Sequence, residues 1–312
     1  MNAAAAQADR PARATARRAA PLQQPELIHA RGLSLAGFHR LAIWHWSAPA
    51  DAVPVICLHG LTRNGRDFDM LARELVRRGR SVYCPDIVGR GRSDWLRDPN
   101  QYHLGQYAAD LNNVVQRIGC EQVDWVGTSL GGLVGMTLAA QPGHPIRRLV
   151  LNDIGPFIPA SALRRLGAHL DSPLRHFDSV AAAETHIRST LAPFGDLDDT
   201  QWRHLTEYSL KPSADRPGVE LRHDPAIART FRQWQYFNVD LWSTWQRIDC
   251  PVRVLRGAES DFLSRATAQR MAASRPCAST VEFEGCGHVP SLMRADQLAA
   301  ALEFLGATEH VG

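Results

Sequence analysis

The chain reads as an α/β fold, a mainly parallel eight-stranded sheet with helices on both faces and an inserted helical lid. Three observations lead there. After Leu27, short Val- and Ile-rich runs alternate with stretches of helical apolar period, the signature of strands joined by crossover helices. Between Asp153 and Ile248 that alternation stops, and Pro and Gly break a helical pattern carrying Trp202, Trp234, Trp242 and Trp245. Finally, the apolar run 123–126 passes through Gly127-Thr128-Ser129-Leu130-Gly131 into a small-residue, helix-like segment, the context of a sharp strand-to-helix turn.

Taken in order, residues 33–38 and 41–46 read as an opening hairpin. Residues 53–58, 81–84 and 122–126 follow as buried strands, with helical spacing over 67–78 and 107–118 between them. Residues 146–151, 252–255 and 280–283 supply three more strands, and 296–305 a closing helix. The chain then divides into an Ala/Arg-rich tail at 1–28, the first part of a core at 29–153, a lid at 154–247 and the second part of the core at 248–312. The tail has no apolar segment of signal-peptide type, and Pro11 and Pro21 bracket a weakly patterned stretch, so disorder is expected there.

Composition narrows the function classes. With 45% apolar and 21% charged residues over 312 positions, the chain can bury a large core. A formal charge of +3 with arginines spread along the chain argues against nucleic acid as a partner. Six cysteines with no CxxC pair and no ligand-like spacing read as reduced thiols of a cytoplasmic protein, with no metal site. No apolar stretch approaches the roughly 18 residues of a membrane span.

The chemistry concentrates at strand ends. A reacting serine must stand clear of the backbone on a strained turn, and the glycines flanking Ser129 remove Cβ atoms that would collide there. The same turn places Ser129 at a helix N-terminus, where the Leu130 N–H faces a developing negative charge. His59-Gly60-Leu61 closes the run 53–58, and the Leu61 N–H is expected as the second oxyanion donor. His59 itself reads as a hydrogen-bonded loop anchor. His288, in a Gly-rich loop after the last strand, is placed to act as base. Asp261, on the loop after the run 252–255, is expected to orient it. Glu259 on the same loop and Asp153 after the preceding strand compete, with Asp153 assigned to backbone bonding at the entry to the lid. Gly60 and Trp245 are candidate substrate contacts. The segment 86–93 contains a GxG but neither a full GxGxxG nor a GK[ST], so it reads as a tight turn.

In this order, Ser129, Asp261 and His288, with the His59-Gly60 loop and the turn at 86–93, resemble the α/β-hydrolase superfamily over residues 33–305. The resemblance implies a sheet whose second strand is antiparallel, a lid after the sixth strand, a small-molecule acyl substrate and no cofactor. It is closest in kind to small bacterial esterases and C–C hydrolases. The run Gly127-Thr128-Ser129-Leu130-Gly131-Gly132 is also similar to intracellular 3-hydroxybutyrate-oligomer hydrolases. Haloalkane dehalogenases and epoxide hydrolases share the fold but use an Asp nucleophile, against which Ser129 stands. Acyl transfer to water is the expected reaction. C–C bond hydrolysis of a ring-cleavage product and a receptor role on the same scaffold remain alternatives.

An active Ser129 would react covalently with a fluorophosphonate probe. Ser129→Ala is expected to lose that labelling and at least about 10⁴-fold in turnover with an unchanged circular dichroism spectrum; retained esterase activity in the variant would remove Ser129 as nucleophile.

Overall fold

The computed structural model describes residues 24–49, 52–171 and 175–306. Its centre is an eight-stranded sheet of β1 (Glu26–Ser34), β2 (Gly37–Trp46), β3 (Val55–Leu58), β4 (Val82–Pro85), β5 (Val123–Thr128), β6 (Ile146–Asn152), β7 (Val252–Gly257) and β8 (Ala278–Phe283). Their spatial order is β1-β2-β4-β3-β5-β6-β7-β8. β2 runs antiparallel to both β1 and β4, and every pairing from β4 to β8 is parallel. All four residues of β3 are buried, which is why this strand reads as a continuous apolar run without alternation; the first five of β5 are buried too, and the acid among them, Asp124, is met by Arg80 and Arg147.

The opening hairpin is displaced from its expected place. The turn falls at Leu35-Ala36, inside the run 33–38, and Gly37 follows with φ +113°. β1 therefore extends back to Glu26, which pairs with His45. Residues 26–28, expected in the tail, belong to the sheet; the expectation of disorder for 1–23 falls outside the described residues. Leu33, Leu35 and Phe38 are exposed at this end of the hairpin, so their apolar character marks no buried segment, and the turn is set by backbone geometry.

The crossover helices are α1 (Asp69–Arg77), α2 (Leu104–Ile118) and α3 (Leu130–Ala139), followed after the insertion by α9 (Arg265–Ser274) and α10 (Ala295–Phe304). Between β6 and β7 the chain leaves the sheet to form α4 (Ala160–Leu170), α5 (Val180–Thr190), α6 (Asp199–Ser209), α7 (Ile227–Phe231) and α8 (Trp242–Gln246). His176–Phe177, Leu210–Pro212 and Val219–Leu221 add a small antiparallel sheet to this insertion. Hydrogen bonds tie it to the loops at the carboxyl ends of the core strands. Asn64 donates to the Tyr208 carbonyl at 3.0 Å, His204 donates to the Arg66 carbonyl at 2.8 Å, and the Tyr102 hydroxyl donates to Asp224 at 2.6 Å. No helix among the described residues is long and apolar enough to cross a membrane.

The segment 86–93 is a turn braced by a buried carboxylate. Asp86 is fully buried and accepts from the Gly65 and Arg92 amides and the Trp44 indole; burial nevertheless pushes its pKa up to about 6. His59 joins this turn to β3. Its Nδ1–H donates to the Gly60 carbonyl at 2.7 Å and its Nε2 accepts from the Ile87 amide at 2.9 Å. With both nitrogens engaged in the neutral form, His59 is a loop anchor, and burial pushes its pKa down to about 3.

These two groups act oppositely on stability. Neutral His59 stabilises the fold fully above its ordinary value of 6.5, and that contribution is lost as pH falls toward 3, because only the unfolded state takes the proton. Asp86 favours the protonated native form, so its contribution is lost as pH rises through about 6. His59→Gln should remove the first contribution alone. Chemical denaturation between pH 4 and 6 is expected to show a slope of unfolding free energy against pH lower than wild type by about 1.4 kcal/mol per unit; parallel slopes would contradict the anchored neutral imidazole.

Candidate active site

Ser129 sits where β5 turns into α3, with φ 51° and ψ −112°, a region that L residues occupy only when the surroundings impose it. The surroundings here are two close approaches. A Cβ on Gly131 would lie 2.0 Å from the Leu58 carbonyl oxygen, and one on Gly127 would lie 2.4 Å from the Gly131 carbonyl oxygen. Only glycine lets the first turn of α3 lie directly against the end of β3. The Ser129 amide donates to the Asn152 carbonyl of the adjacent strand at 3.0 Å, and the Asn152 side chain donates to Thr128 Oγ1 at 3.1 Å and the Pro290 carbonyl at 2.8 Å. Strand β6 thus holds the serine turn and the histidine loop together.

The Ser129 hydroxyl lies 2.9 Å from His288 Nε2, within hydrogen-bond distance. Behind the ring, His288 Nδ1 is 2.8 Å from Asp153 Oδ2. The ring stacks on Phe262, centroids 3.9 Å apart and planes 15° from parallel, which limits its rotation. Asp153 is fully buried and has φ 54°. Besides His288, it accepts from the Gly257 amide at 3.0 Å and the Ser260 hydroxyl at 2.5 Å. This donor set fixes the imidazole with Nδ1 protonated and Nε2 free to accept from serine.

The expectation for Asp261 is corrected by this geometry. Asp261 is exposed and forms a two-point ion pair with Arg165, at 2.6 and 2.7 Å. Partial desolvation would raise its pKa, but the guanidinium holds the carboxyl below its ordinary value. Along this loop Glu259 and Asp261 face outward while Ser260 between them is buried, so the inward position belongs to a hydroxyl that serves Asp153. Sequence position alone misses Asp153 because its left-handed backbone, which sends the carboxylate back under the histidine loop, has no glycine to announce it. The available signal is an acid placed immediately after β6, one strand from the serine.

A cavity of about 230 Å³ opens beside Ser129 and His288. Gly60 and Leu61, on the loop after β3, line it, and the insertion adds apolar wall through Leu166, Leu170, Ile187 and Phe194. Among the described residues, neither the Leu61 nor the Leu130 amide donates to another protein group. Trp245, expected to touch substrate, is instead a core residue. It is fully buried, its indole donates to Ser274 at 2.9 Å, and it packs against the sheet-side cluster. Of the other insertion tryptophans, Trp202 packs with Phe194, Leu205 and Met293, and Trp234 is 49% exposed. None of the four lines the cavity. Trp202 and Trp245 fill joints between insertion and core, where large rings bury most area.

Residues 53–295 match the family model for the alpha/beta hydrolase fold. A 3-hydroxybutyrate-oligomer hydrolase of Cupriavidus necator is 42% identical over 287 residues, covering 90% of this chain and 97% of that protein. An esterase of Mycobacterium tuberculosis is 29% identical over 258 residues, 78% of this chain and 76% of its own. Among solved structures, an alpha/beta hydrolase from Novosphingobium aromaticivorans superposes with a TM-score of 0.79 at 33% identity, covering 92% of this chain and all of that one. A turn holding a strained serine beside a carboxylate-backed imidazole, on this strand order and with these relatives, places the chain in the α/β-hydrolase fold family.

Proposed function

We propose that the chain is a serine hydrolase of carboxylic esters, and that short 3-hydroxybutyrate oligomers are its substrate class. The observation that carries the reading is the 2.9 and 2.8 Å relay from Ser129 through His288 to Asp153. His288 takes the Ser129 proton as Oγ attacks the acyl carbon. Asp153 holds the tautomer and stabilises the imidazolium that results. The Leu61 and Leu130 amides receive the oxyanion, and His288 returns the proton to the departing alcohol. Water then attacks the acyl-enzyme with the same groups in the same roles. Residues 154–247 act as the lid, since they supply the far wall of the cavity and shield the acyl-enzyme from bulk water. The substrate class follows from similarity to the Cupriavidus necator hydrolase over nearly the whole of both chains. A cytoplasmic location accords with six free thiols.

Two measurements test the reading. Asp153→Asn should lower kcat by about 10⁴-fold, because the amide favours the wrong imidazole tautomer, whereas Asp261→Asn removes only an exposed ion pair and should stay within about threefold of wild type. The reverse ranking would restore Asp261 as the orienting acid. A panel of p-nitrophenyl acyl esters, the 3-hydroxybutyrate dimer and trimer, and a ring-cleavage diketone should show hydrolysis of the esters and oligomers. Turnover of the diketone alone would replace ester cleavage with C–C cleavage.

A further inference from the structure

Three arginines reach the wall of the cavity that holds Ser129 and His288, namely Arg63, Arg165 and Arg175. Two of them are neutralised by the protein itself. Arg63 donates to both oxygens of Asp67, at 2.8 and 2.7 Å, and to Ser209. Arg165 is held by Asp261. Arg175 differs. Its Nη1 meets His223 Nε2 at 2.8 Å and its Nη2 donates to the His223 carbonyl, and neither acceptor carries charge. His223 is itself buried, and desolvation drives its pKa well below the ordinary value, so its ring stays neutral and accepts.

The acids near Arg175, Asp224 and Glu220, favour its charge through space but bond to other groups. Asp224 accepts from the Tyr102 hydroxyl at 2.6 Å and the Ala226 amide at 2.8 Å, and Glu220 pairs with Lys211 at 3.0 Å. Among the described residues no carboxylate forms an ion pair with Arg175, and its Nε–H has no protein acceptor. Burial disfavours the charged guanidinium, yet arginine does not give up its proton in proteins. A half-buried cation that faces the cavity with no carboxylate in direct contact, its nearest acids Asp224 and Glu220 acting only through space, has donors left for an anion from the cavity, and a planar guanidinium matches a carboxylate in shape and donor spacing.

We propose that Arg175, held in place by His223, binds the free carboxylate of the substrate, so that the enzyme works from the carboxyl end of short hydroxyacid oligomers and discriminates against neutral esters of the same length. The inference rests on the ester-hydrolase reading above and adds the feature of the substrate that the site recognises. One uncommitted cation matches one carboxylate. A dicarboxylate would need a second, and the other two arginines are already paired. Arg175 touches no reacting atom, so its effect belongs to binding.

The test compares kcat/KM for the 3-hydroxybutyrate dimer as free acid and as its methyl ester. Wild type should favour the acid by at least about tenfold, as expected for a charge-assisted hydrogen-bonded pair, and the preference should shrink as salt is raised. Arg175→Gln should bring the ratio close to one through a higher KM for the acid, and Arg175→Lys should recover part of it. A merely structural role for Arg175 would depress both substrates together and leave the ratio at its wild-type value, which would overturn the assignment. Should Arg175→Gln fail to fold, wild type alone decides. 3-Hydroxybutyrate should inhibit p-nitrophenyl acetate hydrolysis at least about tenfold more strongly than methyl 3-hydroxybutyrate, and equal inhibition overturns the proposal. Equal turnover of acid and methyl ester would remove Arg175 from recognition while leaving the hydrolase reading intact. Turnover of neither, with Ser129 unlabelled by a fluorophosphonate, would remove both.

Discussion

At the end of β6 a fully buried carboxylate, Asp153, accepts hydrogen bonds from an imidazole, a backbone amide and a hydroxyl. A carboxylate in that position is tolerable only if its lone pairs are met, and removing one partner would expose the cost of desolvating the charge, commonly several kcal/mol. The three donors come from two parts of the chain, the end of β7 with the loop after it and the loop after β8. Satisfying one buried charge therefore brings those loops together over the end of β6. The serine turn joins the same assembly through the Asn152 carbonyl and side chain. The relay to Ser129 is thus a consequence of how the fold resolves a buried charge at a strand end.

The serine turn is the second constraint, and it is steric. The first turn of α3 approaches the end of β3 so closely that only glycine fits at 131, and the backbone at Ser129 is forced into a strained conformation. Strain of this kind survives only when surrounding contacts over-determine it. Here the core clusters on both faces of the sheet provide those contacts. Among the described residues the Leu61 and Leu130 amides have no protein acceptor, which leaves both open to an anion, Leu130 at a helix N-terminus.

The insertion works on different terms. Trp202 and Trp245 are spent on packing, and the insertion's contribution to the cavity is made by other apolar side chains and by charged groups whose pairing differs from residue to residue. Arg63 and Arg165 are balanced by direct ion pairs and help to hold the fold; Arg175 bonds to the neutral His223 and, among the described residues, touches no carboxylate. In a partly dry cavity such a difference in pairing matters more than the number of positive residues, because an already paired guanidinium has little left to offer a ligand.

Much of this molecule is written locally. The alternation of apolar runs and amphipathic stretches determines the strands and crossovers from β3 onward, since burial on both faces favours apolar residues in the central strands. The serine turn is legible because its sterics demand glycine, and His288 and the Leu61 loop are legible because each lies directly beyond a strand end. Other features were decided only when distant segments met. The hairpin turn at Leu35-Ala36 lies within an apolar run and was set by pairing as far back as Glu26 with His45. Trp245 went to the core because the space it fills exists only between the insertion and α9. Asp153, Glu259 and Asp261 are alike in one dimension, each an acid just past a strand. Which of them stands behind the histidine depends on backbone direction at one residue and on where Arg165 waits for a partner, and those are properties of the assembled fold.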